Sequence, residues 1–484
     1  MREQARHPVG LAVLYLTEVW ERFSFYGLKS LLVLYLTSGV LELERFDKVI
    51  GSHLVLVAFG HHEGDAASVQ GLASQINEVY SGFAYLTPLI GGVLADRLLG
   101  TRPTLILGGL LMAAGHACMA FEATFLIGLV LLVLGNGGFK PTITALLSRL
   151  YEQPGLSSLR DRGFAIFYTG INVGALLAPL ICGTLQMYIG YDAGFGAAGV
   201  GMAVGLATFL LGSSHLPREE RIVNVAAGEP LLSTPIKAAV PRVATAVRSV
   251  GWPWHSMAAL LSLCGLVIPF WVAFEQFSNT VPLFFRDLTE RSVWGYTVPA
   301  AWLQSLSPLF CVSLMPVVAA LWTAQARRGV EPAACTKMAI GSLLQALSWA
   351  FMTIGSLGVT SDSKATLMLP IVATACLTAG QIYLAPVGLA LVSRSCPPHA
   401  KSIAVGFWFL GGGVGGLLAA PIGALYSRWS HPEFFALLCL LCLAGAVLLG
   451  VAGPRLQRIA ASSSTEAGEA QHKRHDLGAA SDSE

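Results

Sequence analysis

The chain has 484 residues, of which 54% are hydrophobic and only 12% charged, with a mean hydropathy of +0.64. Soluble domains carry about twice that share of charge, so this composition describes an integral membrane protein with many spans. A net charge of +2 excludes a basic nucleic-acid binder and an acidic disordered chain.

A bilayer span takes about 20 apolar residues. Twelve candidates follow in chain order, at 11–37, 75–95, 103–122, 125–148, 163–187, 194–213, 256–283, 300–323, 337–357, 366–392, 402–426 and 432–452. Gly10–Leu16 has the look of a signal-peptide core, but Thr17–Arg22 follow with no small-residue cleavage site, so the stretch opens a retained first span. Val49–Phe59 is apolar but too short to cross, and is expected to be part of an ordered outside loop. Beside it, His61-His62-Glu63 reads as solvated loop residues, with a metal site as the alternative. The longest break, Ser214 to His255, is polar and carries Arg218, Arg221, Lys237, Arg242 and Arg248. It separates an N-terminal six-span bundle (1–214) from a C-terminal one (256–453), with 215–255 as a cytoplasmic linker and 454–484 as a disordered cytoplasmic tail.

Placing the N-terminus inside puts 21 of the Lys and Arg in inside segments, 6 in outside segments and 3 within spans. That bias puts both termini in the cytoplasm, across a cell inner (plasma) membrane. None of the nine cysteines falls in an outside loop, and their spacing matches no zinc pattern, so neither a disulfide framework nor a metal is expected. No Gly-x-x-x-x-Gly-Lys-Ser/Thr sequence occurs, which argues against ATP, and no catalytic constellation suggests an enzyme or a cofactor.

The first span holds Glu18, Glu21, Arg22 and Lys29. Each charge at mid-bilayer costs about 2.5–3.5 kcal/mol on insertion scales, so four on one helix need interior partners. Glu18, Arg22, Tyr26 and Lys29 fall on one continuous helix face, and Glu18 can pair with Arg22, the bland reading being a purely structural salt bridge. Lys140 in the fourth span follows a glycine-rich run and is placed to pair with Glu21. Glu275 is the one acid deep in the second half. Burial and a nearby cation act on a carboxyl in opposite directions. Such a group can therefore exchange a proton for an ion pair as a cavity opens and closes.

Twelve spans in two halves, with Gly91-Gly92-Val93-Leu94-Ala95-Asp96-Arg97 between spans two and three, resemble the major facilitator superfamily; an ordinary charged turn is the alternative for the motif alone. Glu18-x-x-Glu21-Arg22-Phe23-Ser24-Phe25-Tyr26-Gly27 resembles the first-helix signature of the proton-dependent oligopeptide transporters. Gly137–Pro141, Phe167–Ala175, Phe274-Glu275-Gln276 and Pro386–Leu389 extend the likeness through nearly all of the membrane chain. The resemblance implies an all-α major facilitator fold and a symporter of protons with short peptides by alternating access. It assigns proton coupling and gating to Glu18, Glu21, Arg22, Lys29, Lys140 and Glu275, with Lys29 pairing with Glu275. Peptide contacts would fall on Tyr26, Tyr80, Asn172, Trp271, Ser307, Gln381 and Trp408. For Tyr80, Trp271 and Trp408 the alternative is plain packing. Two positions depart from the family pattern: Gln381 stands where a glutamate is usual, and Ser307 where an asparagine is usual. A same-fold carrier of another small solute, such as an amino acid, a modified peptide, an anion or a drug, is therefore the second reading.

Overall fold

The computed structural model describes residues 7–41, 43–60, 69–217, 253–396 and 401–460. Twelve long helices run through it: α1 (Val9–Tyr35), α2 (Val69–Leu94), α3 (Thr101–Met119), α4 (Phe125–Tyr151), α5 (Arg160–Tyr188) and α6 (Tyr191–Gly212), then α7 (Trp254–Leu266 with Ile268–Leu288), α8 (Leu306–Arg327), α9 (Ala334–Gly355), α10 (Met368–Arg394), α11 (Lys401–Gly423) and α12 (His431–Val451). Ten of them, among the described residues, are long and apolar enough to cross a membrane by composition; α2 and α3 are more polar. α7 breaks at Val267 because Pro269, at the start of its second piece, has no N–H to continue the ladder.

Most helix boundaries agree with the hydropathy reading to within a few residues. α2 differs, starting at Val69 rather than near 75, because its polar first turns bond to the other half: Gln70 Nε2 donates to the Gly423 carbonyl (3.1 Å) and Ser74 Oγ to Asn279 Oδ1 (3.0 Å). The eighth span opens as a 3₁₀ turn, Ala300–Ser305, before α8 proper. The apolar 49–59 stretch contains a short helix, Ser52–Ala58, after a single turn at Leu43–Phe46. A hairpin of Ser292–Val293 with Tyr296–Thr297 turns on Trp294 (φ 50°) and Gly295 (φ 81°), a two-residue loop too short for sequence periodicity to reveal.

Residues 454–460, assigned by sequence to a disordered tail, are helical instead. Leu456 packs into the core of the C-terminal half, Ala460 is fully buried, and Ser256 Oγ donates to the Ile459 carbonyl (3.1 Å). Residues 461–484 lie outside the described set, as do 218–252 of the linker and His61-His62-Glu63. The linker's described start is held by Arg102, which donates to the carbonyls of Leu216 (2.6 Å) and Pro217 (2.7 Å).

Glycine sets how closely the helices approach. A Cβ on Gly91 of α2 would lie 1.9 Å from the Gly137 carbonyl oxygen of α4, so these backbones touch only because neither residue has a side chain. Between halves, α2 meets α11 at Gly82 and Gly416, where an added Cβ would stand 3.0 Å from the opposing Cα.

Gly10 of α1 lies against His215, and the start of α7 against Ile459, so the chain's described ends share one face of the bundle, the terminal end. At the opposite, far end the halves are sewn together. Arg286 donates to Thr37 Oγ1 (2.8 Å), Trp302 Nε1 to the Leu180 carbonyl and Thr184 Oγ1 (3.1 Å each), and Ser305 Oγ to the Leu176 carbonyl (2.8 Å). These bonds close the two halves against each other at the far end. Tyr168 is 54% exposed, and most of α8 is exposed, Val318 being 9% exposed.

Candidate functional site

α1 crosses the interior of its half, and its polar face is buried: Glu18, Glu21, Arg22 and Lys29 are all under a tenth exposed. The arrangement depends on Gly174 of α5, where a Cβ would come within 2.8 Å of Arg22 Cβ. Arg22 grips both carboxylate oxygens of Glu21 and reaches Glu18 Oε1 at 3.4 Å. A third contact runs to Asn136 Oδ1 of α4 (3.4 Å), whose own amide donates to the Ala84 carbonyl of α2 (2.8 Å). The guanidinium also lies 4.9 Å from the centre of the Phe25 ring.

Lys140 stands apart from this grip. It forms no ion pair among the described residues, and its ammonium lies 5.3 Å from the centre of the Tyr85 ring, within electrostatic range of Glu21 and Glu18. The pairing of Lys140 with Glu21 expected from sequence is absent in this state, because the planar Arg22 fork occupies both Glu21 oxygens.

Lower on the same face, toward the far end, Lys29 Nζ meets Glu275 Oε2 of α7 at 2.8 Å. The side chains are 9% and 1% exposed, so this is a buried ion pair between the two halves. Glu275 Oε1 has no hydrogen-bond partner among the described residues. Beside the pair stands Glu78 of α2, fully buried and within electrostatic range of both Lys29 and Glu275. Sequence reasoning passed over it. The available signal was a polar stripe in the second span, Ser74, Glu78, Ser81 and Tyr85, recurring on one helix face. A second unforeseen contact joins Ser24 Oγ to His116 Nε2 of α3 at 2.6 Å.

The residues expected to touch substrate fall into two groups. Tyr26 and Asn172 are partly buried; Tyr26 meets Phe25 edge-on (5.3 Å), and the Asn172 amide donates to the Tyr168 carbonyl of its own helix (3.2 Å). Ser307 accepts a hydrogen bond from Thr378 Oγ1 of α10 (3.2 Å). Gln381, one turn further along α10, is partly buried and makes no hydrogen bond among the described residues. Ser307 and Gln381 thus belong to one region where α8 faces α10. The large aromatics pack against neighbouring side chains in this state. Tyr80 is 5% exposed and stacks near Phe25 (6.4 Å); Trp408 is 4% exposed, its ring seated in the notch left by Gly388. Trp271 is partly buried among Phe270 and Phe274, its Nε1–H without a hydrogen-bond partner among the described residues.

The sequence profile of the POT family matches residues 102–228 and 253–434. The chain belongs to this family of proton-dependent oligopeptide transporters. It is 32% identical over 470 residues to the peptide transporter YePEPT of Yersinia enterocolitica, covering 86% of this chain and 88% of that protein. It is 28% identical over 509 residues to a di-/tripeptide transporter of Lactococcus lactis subsp. cremoris, covering 93% and 96%. A crystal structure of the peptide transporter POT in complex with sulfate superposes with a TM-score of 0.77 at 28% identity, over 95% of this chain and 97% of that one. The chain is therefore a multi-pass membrane transporter of the major facilitator fold, with a small-molecule substrate, and not an enzyme.

Proposed function

We propose that the chain imports di- and tripeptides together with protons by alternating access, from the inner (plasma) membrane with both termini in the cytoplasm. The two halves, 1–214 and 256–453, rock about a midplane site, and 215–255 links them. In this orientation the far end is extracellular and is the end at which the halves are closed. The Lys29–Glu275 pair carries the reading: an ion pair contributed by one residue from each half can exist only while the far end is closed. A proton on Glu275 would release Lys29, which ties opening to protonation. Glu18, Glu21, Arg22 and Lys140 form the second coupled set. The proton gradient supplies the drive, with no part for ATP or nucleic acid, and the lipid bilayer is the solvent of the outer faces. The names of the relatives support the peptide as substrate.

Uptake of dialanine into proteoliposomes under an imposed inward proton gradient tests the proposal. Accumulation above the outside level, abolished by a protonophore, is the expected result; passive equilibration would refute coupling.

A second reading rests on Gln381, which stands where the family resemblance leads one to expect a glutamate facing a peptide's amino terminus, and on Ser307, which stands where it leads one to expect an asparagine. It makes the chain a proton-coupled carrier of a different small solute. A competition panel of free peptides, N-blocked peptides, amino acids and organic anions separates the two.

A further inference from the structure

Away from the buried charges, a groove of about 290 Å³ lies between the halves near the far end. Leu176 and Leu180 of α5 line it from the N-terminal half, Leu309 of α8 and Ile371 of α10 from the C-terminal half, together with buried Phe285 of α7. The polar side chains on its walls, Trp302 and Ser305, are already committed. Trp302 Nε1 donates to the Leu180 carbonyl and Thr184 Oγ1, and Ser305 Oγ to the Leu176 carbonyl. A peptide or an anion would find no free hydrogen-bonding side chain there. Water would also lack partners: apolar cavities of about 150 Å³ stay dry and take up benzene instead.

The position of the groove says which apolar molecule is at hand. Leu180 and Leu176 lie 8 and 12 residues before Tyr188, the end of α5, roughly 12–18 Å along the helix. The hydrocarbon of one leaflet is about 15 Å deep. The same stretches of α5, α8 and α10 expose Ile181, Val312 and Val372. Toward the far end, the 292–297 hairpin exposes Trp294 and Tyr296, residue types that gather at the bilayer interface. The Tyr296 ring lies 6.1 Å from that of Trp302, so the hairpin marks the mouth of the groove. A cation stands there too. Arg291 donates to the carbonyl of Val298, itself a lining residue (2.6 Å), and forms no ion pair among the described residues. Of the acids beside it, Asp287 is held by Arg286, and Glu290 accepts from the Ser292 N–H (3.0 Å).

We propose that this groove binds one acyl chain of a phospholipid from the far-end leaflet, with the lipid phosphate at Arg291, and that it does so only while the far end is closed. Lipid is as apolar as leucine, so the chain is held by contact with the groove walls and not by the hydrophobic effect. Each half supplies a wall, and the bonds that close the halves are the ones that bring the walls together. A lipid that fits one state alone shifts the equilibrium toward that state. The state dependence rests on the alternating-access reading above; the site itself does not.

The test uses the full-length chain in phosphatidylcholine nanodiscs that include a phosphatidylcholine with a photoreactive diazirine at mid-chain. After illumination and digestion, peptides carrying Leu180 and Ile371 should be labelled about tenfold more than the peptide carrying Leu440 and Val447, exposed on α12; roughly ten extra carbon–carbon contacts would supply that difference. Leu309→Trp, at an exposed position, should fill the groove and abolish the excess, and Ile371→Phe serves, read at Leu180, if that variant does not fold. Equal labelling of the groove and α12, or an excess unchanged by filling, overturns the proposal. Arg291→Gln should lower the excess, and a photoreactive diacylglycerol that labels the groove as strongly overturns the phospholipid assignment. Lys29→Met, with spin labels at Ile189 and Ser292, tests the state dependence: an excess that persists when the labels report a widened far end overturns it. If the labels stay close, the gate and the transport reading built on it fail, and labelling in the parent decides the groove.

Discussion

The Lys29–Glu275 pair makes the far end a switch whose strength can be worked out. Its atoms are 2.8 Å apart, with side chains 9% and 1% exposed. Removing one partner of a buried pair costs about 3–5 kcal/mol, because the other charge stays buried. In an outward-open state both groups would face water, so the loss falls on the sealed state alone. At about 1.4 kcal/mol per tenfold, Lys29→Met should move the sealed-to-open ratio by about two to three and a half orders of magnitude. Glu275→Gln should do less. Lys29 keeps a neutral acceptor and has Glu78 within electrostatic range, so the loss is that of a charged hydrogen bond weakened to a neutral one, about 1–2 kcal/mol. Spin labels at Ile189 and Ser292, exposed positions at the far end on opposite halves, report the separation by pulsed electron resonance. The parent should give mainly short distances, Glu275→Gln a mixture, and Lys29→Met mainly long ones. The reversed pair, Lys29→Glu with Glu275→Lys, should recover part of what either reversal loses. Equal distributions in parent and Lys29→Met would refute the gate, as would a larger effect from Glu275→Gln than from Lys29→Met.

Three further outcomes are expected. Lys140→Ala, which removes the cation lying over Tyr85, should abolish gradient-driven uptake while substrate-driven counterflow stays at least partly intact; normal concentrating uptake would disprove its part in coupling. Gln381→Glu should tighten free dipeptides over N-acetylated ones by about tenfold in inhibition constant, since a charged acceptor binds an ammonium about twice as strongly as a neutral one. Unchanged constants for both would favour the non-peptide substrate. Gly91→Ala should lower the melting temperature measured in detergent, overpacking costing about 1–3 kcal/mol, while Gly92→Ala, whose Cβ would meet nothing closer than 3.9 Å, should be nearly neutral. Equal melting temperatures would show that α2 and α4 can separate without loss.

Hydropathy made the helices legible because lipid imposes one requirement on every span, about 20 apolar residues with all backbone groups bonded. It faltered where a helix meets protein in place of lipid. The first turns of α2 are polar because Gln70 and Ser74 bond to the opposite half, and a count of apolar residues reads such turns as loop. The same blindness hid Glu78. A single acid in a moderately polar span gives no contrast, and its meaning comes from Lys29 and Glu275, which lie far away in sequence and adjoin it only once α1, α2 and α7 are packed. Aromatic type left two readings open. Trp408 and Tyr80 suit a cavity wall by type, but Gly388 opens a notch that takes the Trp408 ring, and Phe25 lies alongside Tyr80.

The number of buried charges is fixed by sequence, but their pairing belongs to a conformation. Glu21 has two cations within reach, Arg22 on its own helix and Lys140 on α4. Here the Arg22 fork takes both oxygens, and Lys140 is left against an aromatic face. Lys29 likewise has two acids within reach and holds one of them. Each set therefore contains one more candidate partner than it uses. A fully matched set would cost free energy to rearrange at every step. One in which a cation can leave one acid for another nearby exchanges like for like and lets the bundle move. Glu78, beside the Lys29–Glu275 pair, and Lys140, which forms no ion pair among the described residues, are what this argument requires: a group held in reserve on either side of the pairs that break.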